Sequence, residues 1–195
     1  KMAKPKKSKD GDMAPAKPLT EYLVFLGRSQ IEALAALAID AYANNDGKFD
    51  KKLVKQAFTD DHAYDVALFG RMIADAPDLN ADACCQVAHA ISVHPLDAEF
   101  DYFTAVDDNA PEDNAGAGMI GTLEFNSSTY YRYATINVPA LIANLGSAEA
   151  AAKALAAFAR AFAVSMPTGK QNTFANRTLP EAVIVSVRDD QPVSL

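Results

Sequence analysis

Cysteine is scarce in this 195-residue chain, and what there is sits in one place, at Cys84 and Cys85. Two neighbouring thiols cannot build a disulfide framework, so a reducing, cytoplasmic setting is expected. Adjacent residues of a strand point to opposite faces, so one thiol is expected in the core and the other outside it. Long apolar runs are lacking too: residues 31–43 and 150–166 are interrupted by Glu32, Asp40, Lys153 and Arg160. Without an uncharged apolar run of about 18 residues, no membrane-spanning helix is expected. The lysine-rich beginning has no apolar stretch directly behind it and does not read as a secretory signal.

Several kinds of chemistry lack their residues. His89 and His94 fall on opposite faces of an extended chain, His62 is distant, and no cysteine pair or carboxylate stands at zinc-ligand spacing. No metal and no cofactor is therefore expected. There is no G-x-S-x-G, and neither cysteine has an evident base partner. The Gly-x-Gly at Gly116 and Gly118 leads towards a strand, not into the helix N-terminus that a phosphate loop requires. Asp107 and Asp108 are the most suggestive carboxylates. They can be read as a Mg²⁺ site for phosphodiester cleavage or as a solvated turn.

Positive charge is in short supply, 18 Lys and Arg against 25 Asp and Glu, for a net −7. That argues mildly against nucleic acid, yet the charge is uneven. Residues 1–17 hold six Lys and two Asp, which leaves −11 on the remainder. Local patches, not the total, decide polyanion binding.

What is present reads as an α+β chain. Residues 1–18 have hardly any large apolar side chain and read as a disordered linker. Residues 22–26 form a short β-like run. Ser29 and Glu32 have capping-box spacing, predicting a helix to about Ala43 that buries Ile31, Leu34, Leu37 and Ala38. After a turn at residues 44–47, Asp50 opens a short helix carrying Lys51, Lys52 and Lys55 along one side. Residues 64–72 are expected as a strand, 75–80 as a loop, 83–93 as one long alternating strand and 100–106 as another. Residues 107–118 read as an acidic, glycine-bearing loop.

The run from Gly118 to Leu141 is β-rich and places Tyr130, Tyr131 and Tyr133 around Arg132. It suits either base stacking and phosphate binding or an ordinary sheet with half-buried tyrosines. Gly146 and Ser147 introduce a helix to about Ser165, with Leu155, Phe158 and Phe162 as its apolar stripe. Residues 182–187 read as a short strand buried on both faces. Strand, strand, helix, strand is most of a ferredoxin-like or RRM-like βαββαβ unit, incomplete because its first strand and helix are not in sight.

The segments ALFGRM (67–72), VAHAISV (87–93), DYFTAVDD (101–108), GTLEFNSSTYYRYATIN (121–137) and GKQNT (169–173) occur in that order. Together they resemble the CasC family, the backbone subunit of the type I-E CRISPR Cascade complex, over residues 19–195. The resemblance implies a RAMP-superfamily protein in which an RRM-like palm carries a helical fingers insertion and a β-hairpin thumb. The fingers would span residues 19–60, palm or wrist strands 61–95, the thumb 96–124 and the rest of the palm 125–195. Family members polymerise into a helical filament along CRISPR RNA with other Cascade subunits, and display the guide to target DNA without catalysis.

By that resemblance Met72 and Phe103 bracket the RNA, with Arg71 and Thr104 beside them. Lys51, Lys52 and Lys55 face target DNA, while Lys170 and Gln171 contact the guide backbone; Arg132, from its own chemistry among the tyrosines, is read as a further phosphate contact. A thioether and a phenyl ring wedge between bases without regard to identity, which agrees with such a role. The family begins with a further strand and basic helix that have no counterpart here, so the chain is expected to be an interior fragment. A competing reading is a metal-dependent RNase subunit that cuts target RNA through a loop aspartate at Asp107 or Asp108. A blander one is an interaction module without RNA contact.

Overall fold

The structure is a computed structural model that describes Thr20, residues 23–109, Pro111 and residues 118–194. The expected linker at 1–18 and most of the loop at 107–118 lie outside the described residues. The fold is α+β, and its contacts divide it into two units. The first runs to Gln86 and resumes at Thr135–Val193; the second is Val87–Ala134 with Ser194. No helix among the described residues is long and apolar enough to cross a membrane.

The first unit opens with two helices, α1 (Arg28–Asn44) and α2 (Lys51–Thr59). The cap of α1 lies two residues earlier than the expected Ser29. Gly27 is the N-cap, and the Gln30 Oε1, not Glu32, accepts the Gly27 N–H at 3.2 Å. Ser29 instead donates its hydroxyl to the Asp61 carbonyl. The buried positions of α1 are Gln30 and Ala41, while the expected core residues Ile31 and Ala38 are exposed. By contrast α2 begins as read: the Asp50 carboxylate accepts the Lys52 N–H at 2.7 Å. Residues 23–27 form no strand.

Two buried polar side chains tie these helices to neighbouring segments of the unit. Gln30 is 1% exposed and donates its amide to the carbonyls of Phe58 (2.8 Å) and Asp60 (3.0 Å), with the His62 Nδ1 also 3.1 Å away. Arg71 is 4% exposed and donates to the carbonyls of Phe25, Phe58 and Leu79, the shortest at 2.8 Å. Its Nη1 also reaches Gln30 Oε1 at 3.5 Å, and the guanidinium lies 5.8 Å from the Phe58 ring centre. No carboxylate among the described residues forms an ion pair with it. A guanidinium has five N–H groups to satisfy, and here carbonyl dipoles take the place of the usual counter-ion.

Residues 64–72, expected as a strand, form helix α3 (Tyr64–Phe69). Its run of Val66, Ala67 and Leu68 is buried on all sides, and such a run has no period that separates helix from strand. Gly70 ends α3 at φ +78, where a Cβ would lie 2.8 Å from the Ala81 carbonyl oxygen. After a 3₁₀ turn at Pro77–Leu79 comes β1 (Cys85–Val87), which pairs with β6 (Ala134–Ile136). Next in this unit are α4 (Val138–Leu145) and α5 (Ala148–Val164). Asn137 caps α4, an element hidden within the tyrosine-rich run, and Ser147 caps α5 as expected.

The core of this unit is small-residue packing. Ala67, Leu68, Cys84, Cys85, Leu141, Ala151 and Ala154 form it, with Ile136 and Phe158 against its edge. Both cysteines are therefore buried, contrary to the expected split, because only Cys85 belongs to a strand and Cys84 precedes it. On α5 the buried positions are Ala151 and Ala154, and Leu155 is partly exposed. The alanines let α4 approach closely, which leaves Leu141 at 0% exposure. A short helix, α6 (Gln171–Phe174), succeeds α5. Residues 182–187 then have no regular secondary structure and are exposed, with Ile184 at 77% and Val187 at 93%. A strand needs a hydrogen-bonded neighbour, and none of the described strands pairs with this segment.

The second unit holds β2 (Ile91–Ser92), β3 (Glu99–Ala105), β4 (Met119–Phe125) and β5 (Tyr130–Tyr131). The single long strand expected over 83–93 is thus two short ones with different partners, since β2 pairs with β5 while β1 pairs with β6. The tyrosine-rich run divides likewise among β4, β5 and β6. The extended piece expected at 100–106 is β3, an antiparallel partner of β4 over seven residue pairs. His94 braces the β2–β5 end: its Nε2 accepts the Thr129 N–H at 3.1 Å, and its Nδ1 lies 2.8 Å from the Pro95 carbonyl.

This packing can be tested in two places. Leu141→Ala should destabilise the chain by about 3 kcal/mol in urea denaturation, because the alanine-lined site cannot collapse around the void. The second place is His62, whose burial, the neighbouring Arg71 cation and, in opposition, Asp60 combine to push its pKa below 6.5. The folded state therefore resists the proton that the unfolded state accepts. Stability is full above the unfolded value and falls as pH drops through it towards the lower folded value, with a slope of at most about 1.4 kcal/mol per pH unit. Denaturation at stepped pH should show that loss in the wild type and not in His62→Gln.

Candidate nucleic-acid interface

Met72 is held by its neighbours' backbone. Arg71 and Ala81 exchange N–H···O bonds at 2.9 Å in both directions, and the Ile73 N–H donates to Asn80 Oδ1 at 2.7 Å. With both flanks fixed, the thioether stands out at 79% exposure. Arg71 points the other way, its donors spent on the interior carbonyls of Phe25, Phe58 and Leu79. Two adjacent residues expected to share a contact surface thus occupy opposite environments.

Lys51, Lys52 and Lys55 are all exposed on α2. Lys55 is committed to Asp78 at 2.7 Å, and this hydrogen bond holds the Asp78 carboxyl below its ordinary range. Exposed ion pairs of this kind contribute little to stability, but they do subtract one free cation from the strip. Lys51 and Lys52 enter no ion pair among the described residues. Lys170 and Gln171 sit where α6 begins; Lys170 has φ +58, and Gln171 Oε1 accepts from the Arg177 Nη2 at 3.2 Å.

In the second unit the pairing register places Phe103 directly across from Gly121. The ring covers the glycine so closely that an added Cβ would meet Phe103 Cζ at 2.8 Å. The phenyl is therefore supported from below and 38% exposed above. Thr104 pairs with Ile120 and Tyr102 with Thr122, and both Thr104 and Tyr102 are exposed. Gly121 is the residue that sequence reasoning missed. Its role depends on the register, and that needs the loop between β3 and β4.

Arg132 lies between β5 and β6, exposed. The Tyr130 hydroxyl donates to Asn126 Oδ1, and that of Tyr131 lies 3.3 Å from Ser194 Oγ. These tyrosines brace the unit with their polar ends. Asp107 Oδ1 accepts the Asn109 N–H at 3.0 Å in a tight turn. No group of three His, Cys, Asp or Glu that could hold a metal ion occurs among the described residues. Burial raises the pKa of both cysteines, Cys84 further through Asp82 and Cys85 through Cys84, so neither is an activated thiol.

The chain is similar to solved structures of known context. One, titled "CRISPR RNA-guided surveillance complex, pre-nicking", is 37% identical with a TM-score of 0.79; the match covers 100% of this chain and 53% of that one. Another, "CRISPR RNA-guided surveillance complex", is 37% identical with a TM-score of 0.61, covering 88% of this chain and 58% of that one. The chain thus spans a little over half the length of these relatives. No curated protein matches it. The family model described as "CT1975-like protein" matches residues 1–195, the whole sequence, and the chain belongs to that Cas family.

Proposed function

We propose that the chain is part of a non-catalytic backbone subunit of a type I-E CRISPR surveillance complex, of the CasC kind. In this reading copies polymerise along one CRISPR RNA and display the guide for pairing with target DNA. The RRM-like palm is completed by chain outside these residues, α1 and α2 are the fingers, and the β3–β4 hairpin is the thumb. The observation that carries the reading is the 37% identity over the whole chain to a chain of an RNA-guided surveillance complex. The exposure of Met72 and Phe103 supports it at the level of residues.

Both side chains suit a protein that must accept any guide. Their contacts with base faces are indifferent to sequence, so specificity is left to guide–target pairing. Thr104, Arg132, Lys170 and Gln171 add polar contacts to the guide backbone. Arg71 acts one step back, fixing the backbone from which Met72 projects. Lys51 and Lys52 supply sequence-blind attraction for target DNA. The cutting alternative would need Asp107 and Asp108 as metal ligands; Asp107 Oδ1 accepts the Asn109 N–H, which leaves its other oxygen open, so a cleavage assay decides between the readings.

Phe103→Ala should weaken binding of an arbitrary-sequence guide by about 1–3 kcal/mol, with Met72→Ala at the lower end. Gly121→Ala keeps the phenyl but drives a methyl into it, and should reproduce part of the Phe103 loss. Unchanged RNA affinity in all three would sink the reading, as would Mg²⁺-dependent cleavage of bound RNA at regular spacing. For target DNA, Lys51→Gln with Lys52→Gln should lower the salt dependence of duplex attraction by about one unit of slope per lost phosphate contact. Lys55→Gln should do less, since Asp78 already occupies that amine.

A further inference from the structure

The β3–β4 hairpin is joined to the rest of its unit by two linkers, residues 93–98 before β3 and 126–129 after β4. Each of the two strands packs chiefly against the other, and β3 is exposed at every position. A two-stranded hairpin is marginal on its own in water. The direction in which it points is therefore set at its base, where the linkers meet β2 and β5, and not along its length.

At that base a side chain takes the place of a strand. The Val93 N–H donates to the Thr129 carbonyl at 3.0 Å and carries the β2–β5 pairing one residue further. Pro95 lacks the N–H that would extend it again. The Thr129 N–H donates instead to the His94 Nε2, at 3.1 Å. The ring is aimed by its surroundings. Ser92 Oγ donates to the His94 carbonyl at 2.6 Å and accepts the His94 N–H at 3.3 Å, so β2 holds both main-chain groups of this residue. The ring's other nitrogen, Nδ1, lies 2.8 Å from the Pro95 carbonyl.

These bonds admit one protonation state of the ring. A backbone N–H can only donate, so Nε2 must carry a lone pair. The neutral imidazole then has its proton on Nδ1, where it donates to the Pro95 carbonyl. An imidazolium carries N–H on both nitrogens and sets an Nε2–H against the Thr129 N–H. His94 is exposed, so protons reach it without any unfolding. The titratable and charged side chains on the segments that meet here are His89, Asp97, Glu99, Glu124 and Arg132, and both ring bonds go to main chain instead of to them.

We propose that His94 is a positioning residue whose neutral ring latches the two linkers together, holding the hairpin in the direction that presents Phe103, and whose protonation opens the latch. The proposal rests on the RNA-binding reading of Phe103 and extends it to a residue that acts through the hairpin and not on the RNA itself.

Hydrogen exchange of the full chain, followed by mass spectrometry from about pH 8 to about pH 5 and corrected for intrinsic exchange, reads the latch at residues 126–131. Binding of a fluorescent single-stranded RNA of arbitrary sequence is measured in the same buffers. In the wild type, protection there should fall about fivefold on acidification, the worth of one hydrogen bond, and RNA binding should weaken by a similar factor. His94→Gln offers an amide oxygen that does not titrate and should show the same protection at both ends of the range. His94→Leu should exchange fast already at pH 8. His62 responds to acid in every variant, so the difference between wild type and His94→Gln isolates His94. Equal protection in wild type and His94→Leu at pH 8, or an equal acid response in wild type and His94→Gln, overturns the latch. A latch that opens while RNA affinity stays constant and Phe103→Ala weakens binding overturns the positioning role and leaves the RNA-binding reading standing. If Phe103→Ala also leaves affinity unchanged, the reading and the positioning role both fall, and the exchange data still decide the latch.

Discussion

The first unit depends on one buried cation that reads backbone. Arg71 collects carbonyls from the segment before α1, from the end of α2 and from the 3₁₀ turn, at Phe25, Phe58 and Leu79. Those three segments make no continuous ladder with one another, so a five-donor side chain does the joining. Gln30 shares the Phe58 carbonyl, takes that of Asp60 and accepts the cap N–H of α1. Loss of Arg71 would strand several buried acceptors at once, which is costlier than losing any single bond. The same residue bonds Ala81 through both its backbone N–H and its carbonyl. The exposed Met72 is therefore the direct neighbour of a residue held on every side.

This explains why one motif misleads when read one residue at a time. GRM holds a helix stop, a structural cation and an exposed thioether in succession. An arginine beside a candidate wedge invites a phosphate-binding role, and nothing in the local pattern reveals that its partners lie at Phe25 and Phe58. Tertiary acceptors are invisible to periodicity. The two well-read helix starts, Asp50 for α2 and Ser147 for α5, succeed for the opposite reason: the cap and its partner lie within three residues. At α1 even that signal is displaced, because Gln30 is used by the cap and the buried cluster together.

Strands divide in the same way. β3 is legible, since its length and composition favour extension and its partner β4 comes shortly after it in sequence. Residues 83–93 alternate convincingly, yet the chain passes from one unit to the other after Gln86 and the ladder changes partner. Residues 182–187 have a strongly β-favouring composition and form no strand among the described residues. A strand's own sequence supplies propensity, whereas only a neighbour supplies the hydrogen bonds. In the candidate site, Met72 and Phe103 come from the family resemblance, since residue type alone fits core packing as well; the structure shows both exposed. The support that Gly121 gives Phe103 needs the register.

An acidic chain proposed to hold RNA raises an energetic question that the local arrangement answers. Repulsion from a net charge of −7 acts over the Debye length, about 8–10 Å near physiological salt, so acidic residues beyond that distance are largely screened. Contacts at the surface are not. A stacked base contributes about 1–3 kcal/mol regardless of sequence. Within the carboxylate-free stretch from Ala150 to Pro180, Lys153 alone forms an ion pair among the described residues, which leaves Arg160, Lys170 and Arg177 to act on a polyanion. Apolar wedges and a locally cationic stretch act at contact distance, whereas the net charge acts through screened repulsion. The excess then has a use of its own: it discourages nucleic acid from settling anywhere else on the surface. On the proposed reading, in which any guide sequence is accepted, selectivity between right and wrong surfaces comes from such placement and not from reading bases.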